Sequence, residues 1–425
     1  MNMTFKHKVD LSKLLCFALF LCFFDAVLRV EQKNGLTLDR FFLMVPVAAL
    51  VVHERRAYTK LLAAFVVFVL YNGILSFRFG SFDQYFEMSF HYFIIFNLFF
   101  FVSYLVTSPN RGRARLLRII KLGCYSFIGV TILEIIFNFH LPNVDIYENG
   151  EYSSFFRIAN DMSLALVSAI PIFLLMSRER DMKRSHLLLA IGLIFLICMN
   201  NHTKTALGSI ILYCVLYIMV TLRIRVSVTL FILAVLIIWG KDVNLKISYQ
   251  EYTIEDLIIQ PIRNIILLQS YNDIGSIETR VNASIIGIKA LFSSYFLGIG
   301  YGNSVSLLDM PGNQLELAKS LHNDTLAFLL EEGVVALVIY IYGLRRAFFM
   351  SKNTKDYLLK IKLCCFYAFP VAILSSSGVT SNYFFLISLF TLILIDHKIP
   401  QKSNLIKEKS KLTSPQSHSA TELST

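Results

Sequence analysis

The chain has 425 residues, of which 56% are hydrophobic and only 16% are charged, and its mean hydropathy is +0.61. This composition excludes an ordinary soluble enzyme. The net charge of +11 would point to nucleic acid in a soluble chain, so the positions of the charges must be considered. The apolar residues form blocks of about 18–22 residues, the length that crosses a bilayer as a helix. The sequence therefore predicts an all-α, polytopic membrane protein.

Twelve apolar blocks are candidate membrane spans. They lie at about residues 14–29, 38–52, 61–77, 88–107, 116–138, 160–177, 186–201, 205–222, 224–239, 323–343, 359–377 and 382–396. The first block lacks a small-residue cleavage site and is predicted to be an uncleaved signal anchor. The predicted organisation is spans 1–9 over residues 1–239, an outer segment with amphipathic helices over 240–321, spans 10–12 over 322–397, and a disordered cytoplasmic tail over 398–425.

The charged residues between these blocks predict the orientation. With a cytoplasmic N-terminus, the cytoplasmic side receives 28 of the 40 basic residues and only eight of the 29 acidic ones. The positive-inside rule is then obeyed at every connection, and both termini are cytoplasmic. Because membrane insertion and anionic lipid explain this bias, we expect the lipid bilayer as a partner and no nucleic acid.

The outer segment, residues 240–321, is the longest predicted connection, and such loops are usually functional. Two helices are predicted within it, over residues 254–271 with an interruption at Pro261, and over residues 281–296. They are expected to lie on the membrane or to cap a cavity. Gly298 and Gly300 follow, and their spacing allows a tight turn or a close approach to a ligand.

The tenth span is predicted to begin near His322, with Asn323 or Asp324 as the N-cap. Glu331 and Glu332 then follow in an apolar stretch. Ionisable groups at membrane depth normally face the bundle interior or a water-filled cavity. Solvated acids on an interfacial helix are the alternative.

Three stretches together resemble the O-antigen polymerase and O-antigen ligase family of bacterial inner membranes. The strongest combines Glu278-Thr279-Arg280, the turn Leu297-Gly298-Ile299-Gly300-Tyr301-Gly302, and His322-Asn323-Asp324-Thr325-Leu326 with Glu331 and Gly333. Weaker similarities are Arg157 followed by Asn160, and Lys204, which stands where the family usually has an arginine.

The resemblance implies an O-antigen polymerase of lipopolysaccharide biosynthesis. Such a glycosyltransferase joins undecaprenyl-diphosphate-linked oligosaccharide repeat units on the periplasmic face of the inner membrane. The resemblance implies no cofactor, and it implies a chain-length regulator and a flippase as partner proteins. An O-antigen ligase acting on the lipid A core and a capsule or exopolysaccharide polymerase remain alternatives. From a different class, twelve spans also fit a secondary transporter, although no matching six-span halves are found.

This reaction predicts particular residue roles. The diphosphate leaving group requires cations, for which Arg280 is the first choice and Arg157 and Lys204 are further candidates. The acceptor hydroxyl requires a general base, for which His322 is the candidate. Substrate-binding roles are expected of a further set of residues, which comprises Asn323, Glu331, Gly298 and Gly300.

More ordinary roles remain open for the same residues. Arg280 is alternatively an ion-pair partner of Glu278 or Asp273, and His322 a capping or packing residue. For Arg157 and Lys204 the alternative is snorkelling to the membrane interface.

Two further expectations concern sugar contacts and metals. Tyr271, Tyr295 and Tyr301 are candidates for stacking on sugar rings. The sequence has no DxD-like pair, no HExxH motif, no Walker loop and no zinc-like cysteine spacing. The predicted glycosyl transfer is therefore metal-independent.

Overall fold

The structure is a computed structural model. It describes residues 11–24, 47, 54–79, 82–108, 112–141, 152–156, 159–201, 206–207, 209–211, 213–214, 244–247, 250–253, 259–269, 276–308, 326–338 and 382–395. The chain divides into two units, Met1–Ile395 and Asp396–Thr425, and all described residues belong to the first. The predicted cytoplasmic tail lies outside the described residues, as do spans 38–52, 224–239 and 359–377 apart from Val47, and much of span 205–222.

Helices account for most of the described residues, as the sequence predicted. They are α1 (Leu11–Leu21), α2 (Arg55–Phe79), α3 (Phe82–Thr107), α4 (Gly112–Phe137), α5 (Ala159–Arg178), α6 (Arg184–Asn200), α7 (Gln260–Leu267), α8 (Ser276–Ser293), α9 (Asn303–Leu308), α10 (residues 326–338) and α11 (Tyr383–Leu394). A short antiparallel pair that was not predicted, β1 (Asn244–Ile247) and β2 (Gln250–Thr253), places Asn244 opposite Thr253.

Four of the described helices contain segments long and apolar enough to cross a membrane. These segments are Arg55–Phe77, Ser89–Thr107, Gly112–Phe137 and Asp161–Arg178, and they correspond to the predicted spans three to six. Large apolar side chains are exposed along α2, α4 and α6, including Leu70, Ile74, Ile136, Leu188 and Leu196. Exposed apolar surface of this extent suits a lipid environment.

The core is formed where α1, α3, α4, α5 and α11 pack together. Phe23, Phe127 and Phe384 meet edge to face, with ring centroids 4.7–6.2 Å apart. Gly123 allows this close packing, because a Cβ there would lie 2.6 Å from Phe23 Cδ2. Asn382 caps α11 by accepting a hydrogen bond from Phe385 N, and its amide donates to the Asp161 carbonyl.

Polar contacts join the helices at both ends of this bundle. At one end Arg113, at the start of α4, forms an ion pair with Glu179, which follows α5. At the other end Glu134 near the C-terminus of α4 accepts a hydrogen bond from Ser154 N, and Asn201 after α6 pairs with the Tyr152 backbone. The first end carries connections predicted to be cytoplasmic, and the second carries connections predicted to be outside.

The two helices of the outer segment have different bounds from those predicted. Pro261, which was expected to interrupt the helix over residues 254–271, lies in the first turn of α7, where its missing N–H leaves no helical hydrogen bond unmade, and residues 254–258 lie outside the described residues. Helix α8 was expected to reach Phe296, but it ends at Ser293 because Tyr295 and Phe296 adopt left-handed backbone conformations. Helices α7 and α8 pack through Ile265, Leu268 and neighbouring side chains.

Candidate functional site

The glycine turn after α8 packs directly on the backbone of α10. Ile299 N–H donates to the Leu330 carbonyl at 3.0 Å, and Gly300 N–H donates to the Glu331 carbonyl at 2.9 Å. In return, Val334 N–H donates to the Phe296 carbonyl at 2.7 Å. Carbonyl and N–H groups in the middle of α10 therefore form hydrogen bonds to the turn, whereas in a regular helix such groups bond to other residues of the same helix.

Three glycines make this contact possible. Gly298, Gly300 and Gly333 have φ values of 94°, 85° and 57°, which other residues rarely adopt. A Cβ on Gly298 would lie 2.8 Å from Gly333 N, and a Cβ on Gly333 would overlap the Leu297 carbonyl. The close approach expected of Gly298 and Gly300 is to the protein's own backbone, which gives them a structural role, and their substrate-binding role stays a prediction.

The two carboxylates of α10 are buried beside the turn. Glu331 Oε1 accepts a hydrogen bond of 2.5 Å from Ser304 Oγ, at the start of α9. Glu332 Oε2 accepts one of 2.6 Å from Asn72 Nδ2, in α2. Glu331 is 6% exposed and Glu332 is 0% exposed. Both acids therefore face the protein interior, and the alternative of solvated acids on an interfacial helix is wrong.

Helix α2 contacts the glycine turn on the side opposite to α10. Tyr71 OH donates to the Leu297 carbonyl, and Asn72 lies next to it in the sequence. Ser76, one helical turn after Asn72, approaches Gly300 so closely that a Cβ there would lie 2.5 Å from Ser76 Oγ. The turn is thus enclosed between α2 and α10.

Tyr301, which follows the turn, packs in an aromatic cluster with Tyr92 and Phe68. Its ring stacks on Tyr92 with centroids 4.7 Å apart and lies 5.6 Å from Phe68. Burial raises the pKa of the Tyr301 phenol, which therefore stays protonated at neutral pH. Because its ring is fully enclosed, the prediction that Tyr301 stacks on a sugar is wrong for this conformation. Tyr295 is 81% exposed and keeps that prediction open, whereas Tyr271 lies outside the described residues.

Arg280 lies at the far end of α8 from the glycine turn. Thirteen residues separate it from Ser293, which corresponds to about 20 Å along a helix axis. Much of its side chain is exposed, and partial burial of the remainder lowers the pKa of the guanidinium, which stays cationic at neutral pH. No ion pair joins it to Glu278, and Asp273 lies outside the described residues. The exposed cation is available to an anionic ligand.

The structure brings together only part of the predicted site. Gly298, Gly300 and Glu331 meet, while Arg280 is set apart from them. The remaining predicted site residues lie outside the described part of the chain, and they are Arg157, Lys204, His322 and Asn323.

Sequence reasoning missed the contribution of α2. Asn72 and Ser76 are polar residues spaced by four within an apolar span, so they share one face of a helix. Polar side chains in a span tend to face the protein interior, and this signal was present in the sequence. Their partners could not be inferred, because 260 residues separate Asn72 from Glu332.

Among the described residues, no group of three or more His, Cys, Asp or Glu side chains is arranged to hold a metal ion. The fold and the site together define a helical protein with membrane-spanning character and a buried polar centre between two of its helices. No family model matches the chain, and no curated protein sequence matches it.

Proposed function

We propose that this chain is an O-antigen polymerase, a metal-independent glycosyltransferase that joins undecaprenyl-diphosphate-linked oligosaccharide repeat units. The proposal includes twelve spans, cytoplasmic termini and a periplasmic site in a bacterial inner membrane. Its main support is the backbone pairing between the Gly298–Gly300 turn and Glu331–Gly333, because these two stretches carry much of the family resemblance and are in direct contact.

The position of the turn along α2 supports the proposed side of the membrane. The turn contacts Tyr71 and Ser76, towards the C-terminal end of α2. Arg55, Arg56 and Lys60 lie at the opposite end of this helix, whereas the end that carries the turn has the single basic residue Arg78. Because arginines flanking a span favour the cytoplasmic side, the end that carries the turn is assigned to the periplasm.

In the proposed mechanism, different residues bind the diphosphate and accept the proton. The acceptor hydroxyl forms a bond to the anomeric carbon of the donor sugar as the bond from that carbon to the diphosphate oxygen breaks. Arg280 neutralises the departing diphosphate, and His322 accepts the proton of the hydroxyl. Glu331 is bonded to Ser304 and buried, so we assign it to positioning the turn and not to contacting the substrate. Arg157, Lys204 and Asn323 retain their predicted substrate-binding roles.

The role of Arg280 is tested by Arg280→Ala in a polymer-ladder assay on the full-length protein. We expect polymer yield to fall about 10-fold or more, since hydrogen bonds to charged groups contribute about 1.5–3 kcal/mol. Lys289→Ala is the matched control, because Lys289 is an exposed cation on the same helix, and it should leave the ladder intact. Equal ladders from both variants at equal expression would contradict the assignment.

The role of His322 is tested by His322→Ala in the same assay. We expect loss of the ladder, because removal of a general base typically slows a reaction by about 100- to 10,000-fold. Lys352→Ala, in a connection predicted to be cytoplasmic, serves as the control and should retain the ladder. A normal ladder from His322→Ala would remove the catalytic assignment.

A deletion strain distinguishes the alternatives within this class. Loss of the polymerase leaves core capped by a single repeat, whereas loss of a ligase removes all capped core. A capsule or exopolysaccharide polymerase would leave the lipopolysaccharide ladder unchanged and remove the other polymer instead.

A secondary transporter is the second candidate, and one observation favours it. Helix α10 has a left-handed residue at Gly333 beside two buried carboxylates, and interrupted helices with buried ionisable residues mark substrate and ion sites in transporters. Uptake of a lipid-linked glycan into vesicles by the purified protein, with no polymer formed, would favour transport over glycosyl transfer.

A further inference from the structure

Glu332 is the most completely buried carboxyl group in the described site. Its side chain is 0% exposed, and its hydrogen bond from Asn72 Nδ2 is 2.6 Å long. The titratable groups that face it are Glu331 on α10, Tyr71 on α2 and Tyr301 after the turn. None of these is a cation, and no described Lys, Arg or His forms an ion pair with Glu332.

An ionised carboxylate in these surroundings is strongly unfavourable. A buried charge requires an opposite charge or several hydrogen-bond donors, and otherwise the group takes up a proton and becomes neutral. The hydrogen bond that Glu332 accepts from the described residues comes from a neutral amide, and the carboxyl group of Glu331 is its sequence neighbour. Because no described side chain supplies the opposite charge, we attribute the neutralisation of Glu332 to a bound cation.

The unpaired atoms around Glu332 indicate which cation this is. Asn72 Nδ2 donates both to Glu332 Oε2 and to the Phe68 carbonyl, and this fixes which end of the amide faces the acid. Glu332 Oε1 and Asn72 Oδ1 have no hydrogen-bond partner among the described residues, although both are fully buried. Both atoms are acceptors, so the contacting pair lacks a donor. A single proton on the carboxyl group provides that donor.

The hydroxyl groups of Ser76 and Tyr301 belong to the same centre. Ser76 is one turn along α2 from Asn72, and its Oγ is buried without a hydrogen-bond partner among the described residues, while Tyr301 is buried close to Asn72 and Glu332. Each hydroxyl is both a donor and an acceptor, and neither brings a charge to the site.

We propose that Glu332 is a proton-binding site, in which the carboxyl group is a neutral acid paired with the side-chain amide of Asn72. The ligand is a proton, taken up from water and bonded to a carboxylate oxygen. This proposal goes beyond glycosyl transfer and does not depend on it, because it concerns the charge state of the folded protein in either proposed function.

Infrared difference spectroscopy of the full-length protein in nanodiscs tests the proposal at neutral pH. A protonated carboxylic acid has a C=O stretching band that is separate from the carboxylate bands and shifts in D2O. We expect such a band in the wild-type protein and its loss in Glu332→Gln. Glu179→Gln is the control, because Glu179 is ion-paired with Arg113 and its removal should leave the acid band unchanged. An acid band of equal intensity in the wild-type protein and Glu332→Gln would overturn the proposal.

A second variant keeps the test valid if Glu332→Gln fails to fold. In Asn72→Val the acid loses the hydrogen bond to its C=O oxygen, so we expect the same band to move to higher frequency. An unshifted band in this variant would contradict the acid–amide pair.

The same spectra distinguish a proton from a metal cation. They are recorded once with Na+ and once with choline as the only monovalent cation. An identical acid band in both supports a bound proton, whereas loss of the band in Na+ shows a metal-ion site and overturns the proposal.

Discussion

Gly300 is enclosed on two sides, by the backbone of α10 and by α2. Its N–H bonds to the Glu331 carbonyl, and a Cβ would lie 2.5 Å from Ser76 Oγ and 2.7 Å from Ser76 N. A side chain at this position is therefore opposed both by its φ of 85° and by the neighbouring helix.

We predict that Gly300→Ala lowers the free energy of unfolding by about 1–3 kcal/mol, since a non-glycine residue held in this region costs about that much. Gly192→Ala is the control, because a Cβ there meets nothing within 4 Å. The measurement is denaturant unfolding of both variants in detergent. Equal midpoints for the two variants would show that the turn does not pack tightly on α2.

For individual residues, the sequence predicted the glycine turn of the site but not its partners. Alternating glycines predicted a tight turn or a close approach, and the turn is present. The sequence could not indicate what approaches the glycines, because both partners are distant in the chain and belong to the protein itself.

Among the helices, the packing of α4 against α11 and the turn after α1 requires a small residue at position 123. A Cβ on Gly123 would lie 2.6 Å from Phe23 Cδ2 and 3.0 Å from Phe384 Cε2. These rings belong to the aromatic contacts that join α4 to α11 and to the turn after α1. Displacing these rings therefore disturbs the packing of α4, of α11 and of the turn after α1.

We predict that Gly123→Ala destabilises the protein by about 1–3 kcal/mol, the usual cost of overpacking a well-packed core. Gly129→Ala, on the same helix, should be neutral or slightly stabilising because it meets nothing within 4 Å and alanine favours helix. Thermal unfolding of the two variants in detergent makes the comparison. A Gly123→Ala midpoint at or above that of Gly129→Ala would show that the rings of Phe23 and Phe384 do not pack tightly on Gly123.

The helices were also the elements that sequence predicted best. Spans three to six match α2 to α5 to within a few residues, because long apolar blocks between charged connections have few alternative structures. The ends of α8 and the start of α7 were misplaced, because left-handed residues and a first-turn proline act locally and leave no hydropathy signal.

In the molecule as a whole, the two ends of the helix bundle have different polar contacts. The Arg113–Glu179 ion pair lies at one end, and the glycine turn contacts α2 towards the other, away from Arg55. The proposed topology makes these ends cytoplasmic and periplasmic respectively.

We predict that Lys289→Cys on α8 reacts with a membrane-impermeant maleimide in cells whose outer membrane alone is permeable, in a variant whose native cysteines are serine. Lys183→Cys, exposed before α6, should react only after the inner membrane is opened. Mass-shift gels report the labelling. Reaction of both cysteines from the same side would show that the proposed orientation is wrong.

The separation between Arg280 and the acids of α10 bears on how small molecules would act on the protein. A compound that imitates only the diphosphate of the lipid carrier would occupy the exposed end of α8 and leave the opposite end untouched. Under the proposed function, such a compound competes with the lipid carrier and does not disturb the packing of the glycine turn on α10.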